Sequence, residues 1–295
     1  MSKRSEDFKR KIQKVLFRTI KRATTQAPDE IVKSLNRSLN AEDSEIAKAQ
    51  LELMLENFAY GAQNKIPICQ DTGILNFFIE IGSEFPIITN FKDIIDKTVV
   101  KATRTIPLRA NSVDPLTNKN PESNLGINVP PIYTDIIDND ANLKITILPK
   151  GGGAENISKL FMLNPADGLH IFQQKIIESI KKAGGMPCPP IILGIGIGGD
   201  ATLCMKLAKK ALLRPINLRH QREDVANLEL LLLDKINALK IGPMGLGGRT
   251  SCLDVHIELA MRHPASFPVG LIVQCYSHRY AYFKMNEKGE IIDEG

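Results

Sequence analysis

No stretch of this sequence approaches the roughly 20 consecutive apolar residues needed to span a bilayer, so nothing in it reads as a membrane segment. The N-terminus, MSKRSEDFKRKIQKVLFRTIKR, is basic but has no apolar h-region, which argues against a secretory signal. Glu6 and Asp7 argue against a mitochondrial leader, and the expected location is the cytoplasm. No Cys-x-x-Cys pair and no clustered cysteine run occurs, which weighs against a structural zinc site and a ferredoxin. Five cysteines, an odd count without an export signal, make a disulfide framework a poor explanation. The net charge of +5 is mild and spread along the chain. It requires no nucleic acid, and a small anion is as good a partner. There is no internal repeat and no compositional break that would mark a linker.

What is present is a soluble, globular composition. Of 295 residues, 43% are hydrophobic and 24% charged, enough to bury a sizeable core. The first sixty residues read as helical. Phe8, Ile12, Val15, Leu16 and Ile20 recur at helical spacing. A second helix is expected over Ala27–Leu39, opened by Pro28, and a third from Ala41 to about Phe58, capped by Asn40. This region reads as a packing and assembly platform. Strands are expected at Ile74–Ile81, Ile132–Ile137, Leu143–Leu148, 191–197 and Leu271–Cys275. Helices are expected at 90–104, Pro165–Ala183, 200–212 and 221–239. The polar stretch from Arg109 to Pro131 is long and aperiodic, as functional loops often are.

Three cysteines stand at element boundaries, where side chains can converge. Cys69 follows Pro67 and precedes Gln70 and Asp71, Cys188 lies between prolines, and Cys275 ends an apolar run. Cys204 falls inside a helix and reads as core, whereas Cys252, near Arg249, reads either way. Asp71 is suited to proton transfer or to holding a substrate hydroxyl, and equally to an Asx turn before Gly73. Gly151, Gly152 and Gly153 could bring backbone amides to an anion, or simply form a tight turn. Arg104 and Arg109 are candidate carboxylate clamps. His263 stands twelve positions before Cys275. Residues 194–199, GIGIGG, match a dinucleotide fingerprint after a strand, which raises an NAD-binding oxidoreductase as a rival of another class. No acidic residue closes a second strand about 20 positions on, so that signal is weak. In GPMGLGGRT, Gly248 takes the place of the P-loop lysine, which excludes that motif.

Taken in order, IPICQDTG, RANSVDPL, KGGGAEN, MPCPP, GIGIGG, GPMGLGG and RHPASFPVG, with the final cysteine beyond, resemble the motifs of class I fumarate hydratases and L-tartrate dehydratases. The resemblance covers nearly all of the chain after about residue 40. It implies an α/β fold of the iron–sulfur hydro-lyase N-terminal type, one domain over 1–295 with a helical portion at 1–60. It implies a [4Fe–4S] cluster held by Cys69, Cys188 and Cys275, with one iron open as a Lewis acid. It suggests Gln70, Arg109 and Gly152 as contacts for a small dicarboxylate, and Asp71 and His263 as the polar pair assisting proton and hydroxyl transfer. Single-chain relatives carry a further domain that supplies a threonine base and cationic groups. This chain stops at Gly295 and resembles the alpha subunit of the two-subunit form, which implies a separate beta subunit and homodimerisation through the alpha chain. Hydration of fumarate to (S)-malate is the preferred reaction, with L-tartrate dehydration to oxaloacetate as the alternative.

Overall fold

A computed structural model describes residues 3–86 and 90–295; the first two residues of the basic N-terminal stretch lie outside it. Along the chain run α1 (Lys3–Thr25), α2 (Asp29–Ala41), α3 (Glu45–Asn64), β1 (Ile74–Gly82), α4 (Phe91–Thr105), β2 (Ile132–Ile137) and β3 (Leu143–Lys150). Then come α5 (Gly152–Glu155), β4 (Lys159–Leu163), α6 (Gly168–Ala183), β5 (Ile191–Gly199), α7 (Ala201–Ala211) and α8 (Glu223–Asn237). The chain ends in β6 (Cys252–Arg262), β7 (Phe267–Gln274), β8 (Ala281–Met285) and β9 (Ile291–Glu294). This is a mixed α/β architecture, as the sequence leads one to expect.

The chain divides into two compact units, residues 1–28, 58–150 and 279–295 in one, and 29–57 and 151–278 in the other. Because the chain passes between them four times, no single linker exists to leave a compositional mark.

The first unit is a five-stranded sheet in the order β2-β1-β3-β8-β9. β1 pairs parallel with β2 and antiparallel with β3. The parallel pair requires a crossover, and α4 lies between the two strands in sequence. The apolar stripe of α1 is buried at Ile12, Val15, Leu16 and Ile20, in one cluster with Ile95 and Val99 of α4, Phe77 and Ile79 of β1, and Ile145 of β3. Each such side chain contributes about 1.5–3 kcal/mol by leaving water.

The second unit is a four-stranded sheet in the order β4-β7-β5-β6. Phe172 and Ile176 of α6, Leu232 of α8, Ile195 of β5 and Val269 of β7 belong to its core. α7 lies close on the sheet because glycines allow it. A Cβ at Gly194 would stand 2.0 Å from the Ala208 carbonyl oxygen, and one at Gly196 2.0 Å from that of Cys204. The glycine fingerprint therefore serves helix–strand packing. All four of its glycines lie within β5 rather than in a turn after it. The N-terminus of α7 is capped by the Asp200 carboxylate, which accepts from the amides of Thr202 and Leu203. An acid in that place is the wrong charge for a pyrophosphate. These glycines form no dinucleotide loop, which corrects the NAD-binding alternative.

One helix boundary differs from expectation. α2 continues through Asn40 to Ala41, and α3 starts only at Glu45. The buried Glu42 carboxylate accepts from the Asp43 and Ser44 amides, and Ser44 Oγ accepts from the Ala47 amide. Ser44, rather than Asn40, thus opens the third helix.

Candidate active site

The second unit builds an anchored loop around Cys188. The Cys188 amide donates to the Gly185 carbonyl at 3.0 Å, and the Met244 amide donates to the Pro189 carbonyl at 2.8 Å. The Tyr276 amide donates to the Cys188 carbonyl at 3.0 Å. That last bond ties the Cys188 loop to the residue after Cys275, so two of the expected ligands sit on adjoining loops. Close approach of the flanking turns depends on glycine, since a Cβ at Gly245 would lie 2.5 Å from Gly185 Cα. Cys188 itself has φ 53°, a left-handed conformation uncommon outside glycine, held in place by these bonds. The Ser277 hydroxyl is 3.2 Å from Cys275 Sγ.

The glycine-rich loop lies in the same unit. Gly152 begins α5, a single turn of helix, and none of Gly151, Gly152 and Gly153 takes positive φ. The loop is therefore not the alternating backbone nest that binds anions. Gly152 is exposed, and a Cβ at Gly153 would lie 3.6 Å from the Met186 carbonyl oxygen, two residues before Cys188.

His263 is placed differently. It lies in the turn between β6 and β7, exposed, with Nδ1 accepting from the Ala265 amide at 3.1 Å. Cys275 follows the other end of β7, eight residues away along the strand, roughly 25 Å. The structure does not bring His263 to the Cys188 and Cys275 loops.

In the first unit, Cys69, Gln70 and Asp71 form the turn that leads into β1. Cys69 and Asp71 are half-buried and Gln70 is exposed. Asp71 Oδ1 accepts from the Gly73 amide at 2.8 Å, an Asx turn, and from Asn111 Nδ2 at 2.6 Å. The buried Arg279 guanidinium donates to the Asp71 carbonyl at 2.6 Å. Arg109 is exposed, with its carbonyl accepting from Asn124 Nδ2 at 3.2 Å; Arg104 is exposed in the last turn of α4. Asn111 and Arg279 were not among the sequence candidates. No spacing rule links positions 71, 111 and 279, and only the fold brings them together.

The chemistry of the thiols tests whether a cluster fits. Cys69, Cys188 and Cys275 are partly exposed, whereas Cys204 and Cys252 are buried. Burial pushes both buried thiols up, which keeps them protonated. Their S–H groups donate to the Ala201 and Asp254 carbonyls. Three accessible thiols remain, the number that leaves one iron of a cubane open. Among the described residues no three His, Cys, Asp or Glu side chains gather tightly enough for a single metal ion. Cluster thiolates do not gather in that way, because each binds a separate iron. The donor set fits a [4Fe–4S] group.

Comparison with known proteins identifies the family. The family model described as fumarate hydratase (Fumerase) matches residues 13–284. Such a match, over most of the chain, makes the protein an enzyme of the hydro-lyase class. The chain belongs to the fumarate hydratase (Fumerase) family. It is 44% identical over 274 residues to a protein of Methanocaldococcus jannaschii named putative L(+)-tartrate dehydratase subunit alpha, covering 92% of this chain and 96% of that one. It is 35% identical over 256 residues to the L(+)-tartrate dehydratase subunit alpha of Escherichia coli K12, covering 87% and 84%.

Proposed function

We propose that this chain is the alpha subunit of an L-tartrate dehydratase, converting L-tartrate to oxaloacetate with a [4Fe–4S] cluster held by Cys69, Cys188 and Cys275. The observation that carries the substrate is the 44% identity, nearly end to end, to a relative named for tartrate. The relatives thus favour tartrate over the fumarate preferred from motifs alone. Fumarate hydration stays as the second reading, on the description of the family. The relatives' designation as alpha subunits supports a separate beta subunit that completes the site. No helix among the described residues is long and apolar enough to cross a membrane.

Dehydration removes a hydroxyl from one carbon and a proton from its neighbour, and the resulting enol tautomerises to the keto acid. When bound, the cluster supplies a Lewis-acidic iron for the substrate's hydroxyl and carboxylate oxygens. Asp71, beside Cys69, is the group of this chain assigned to the proton of the departing hydroxyl. Gln70, Arg109 and Gly152, all exposed, are assigned to substrate carboxylates and hydroxyls, with Arg109 able to bind a carboxylate through two parallel N–H bonds. His263, exposed at the far end of β7, is assigned a subsidiary part.

The test is anaerobic. The chain is purified with its beta partner, iron and sulfide are restored, and kcat/KM is measured for L-tartrate, (S)-malate and fumarate. A value for tartrate at least about tenfold above the others is expected, a difference of about 1.4 kcal/mol in transition-state binding. Preference for fumarate and malate would establish the second reading instead.

A further inference from the structure

We propose that Asn111 is a positioning residue for the reaction, acting through Asp71 by fixing the plane of its carboxylate; this rests on the assignment of Asp71 as the proton-handling group. The main chain at Asp71 is held by the Arg279 guanidinium, which donates to the carbonyls of Asp71 at 2.6 Å and Thr72 at 3.4 Å. What this leaves undetermined is rotation of the carboxylate. Oδ1 receives the Gly73 amide at 2.8 Å and Asn111 Nδ2 at 2.6 Å. Two donors on one oxygen set the plane of the group, and so determine where the other oxygen points. Proton transfer requires approach to hydrogen-bond distance, and a displacement of about 1 Å can cost about 100-fold in rate.

Asn111 is itself held by a connected series of bonds. Its amide donates to Asn124 Oδ1 at 3.0 Å. Asn124 is buried, and its Nδ2 donates to Thr103 Oγ1 at 3.0 Å and to the Arg109 carbonyl at 3.2 Å. Thr103 Oγ1 in turn donates to the Val99 carbonyl within α4. The rigid element at one end is thus a helix and the group at the other end is Asp71. The same buried amide sets the backbone of Arg109, the assigned carboxylate clamp. An amide suits position 111 because it can offer an N–H to a carboxylate, whereas an aspartate there would place two carboxylates at hydrogen-bond distance.

The experiment is a double-mutant cycle in the reconstituted two-subunit holoenzyme, with Asn111→Leu, Asn111→Gln, Asp71→Asn and the Asp71→Asn, Asn111→Leu pair. Iron content and the visible cluster spectrum are recorded beside kcat and KM. Asn111→Leu is expected to lower kcat roughly 10- to 100-fold, with KM and the cluster spectrum unchanged. Asn111→Gln, which keeps a donor, is expected to recover a substantial part. In the Asp71→Asn background, Asn111→Leu is expected to cost nothing further, because its effect is transmitted through the carboxylate. Additive losses, a loss expressed as lower iron content, or an unchanged kcat in Asn111→Leu would overturn the proposal. Should Asn111→Leu not fold, Asn111→Ala enters the same cycle. Full turnover in Asp71→Asn would instead overturn the assignment of Asp71, a result distinct from additivity.

Discussion

Cys252 donates its S–H to the Asp254 carbonyl 3.1 Å away, and Cys204 donates to the Ala201 carbonyl at 3.3 Å. Burial raises both thiols, whereas Cys69, Cys188 and Cys275 retain access to solvent. Thiolates are the reactive form, so accessibility and proton affinity act in the same direction. In the folded, iron-free protein, maleimide at neutral pH is expected to label the three accessible cysteines while Cys204 and Cys252 resist until denaturant is added. Peptide mass spectrometry reads the outcome, and early labelling of Cys252 would contradict it. Cys204 was legible as a core residue from its helical surroundings. Cys252 was not, because its partner Asp254 lies on a strand with no obvious sequence mark.

Asp71 and His263 look equivalent in the sequence, each a polar residue near a cysteine. The fold separates them, placing one in a bonded turn beside Cys69 and the other in an exposed turn. Asp71→Asn is expected to lower kcat by about 100-fold or more, and His263→Asn by less than about tenfold. Steady-state kinetics on the assembled enzyme distinguish the two, and a larger loss at His263 would contradict the assignment.

At the scale of elements, the clearest sequence signals were periodic. The stripe of α1 was readable because a single buried face dictates its spacing, and the continuous apolar run of β5 because that strand is buried on both faces. Strand β6 was missed. It alternates Leu253, Val255, Ile257 and Leu259 with Asp254, His256 and Glu258, and of the polar residues Asp254 and His256 are buried as well. Arg214 and Arg219 donate to the Ile257 and Val255 carbonyls, and the Glu229 carboxylate accepts from the Ile257 amide at 2.8 Å. Charged side chains therefore satisfy this edge strand, and its polar residues are structural.

That network carries a pH dependence. Burial acts to raise the Asp254 carboxyl, but His256, Arg219 and the Asn217 amide outweigh it and hold the group down to about 2. A depressed folded value means that the stabilisation is present above the unfolded value of about 4 and is lost as pH falls towards 2. The difference amounts to about 2–3 kcal/mol. Asp254→Asn is expected to be less stable than the parent protein at pH 7, with the gap narrowing as pH drops from 4 to 2. Urea titration across pH reads this, and a pH-independent gap would contradict it.

The glycines beneath α7 make a separate prediction at this scale. Gly196→Ala would drive a methyl group to 2.0 Å from the Cys204 carbonyl oxygen and is expected to cost about 3 kcal/mol. Thermal unfolding measures it. A dinucleotide motif would have given the same pattern of glycines, which is why the sequence left the two readings open.

At the scale of the whole molecule, the ordered motifs indicated the family, and the match over residues 13–284 bears that out. They did not show two compact units, because each unit is assembled from separated stretches of chain. Substrate preference was not legible either. Tartrate and malate differ by one hydroxyl, and the proposed beta subunit would contribute part of the pocket.

The most direct measurement is iron stoichiometry and L-tartrate turnover after anaerobic reconstitution with the beta partner, for the parent protein and single cysteine-to-serine variants. Cys69→Ser, Cys188→Ser and Cys275→Ser are each expected to abolish turnover and to lose the cluster spectrum, while Cys204→Ser keeps both. A full complement of iron and undiminished turnover in any one of the first three would contradict the account.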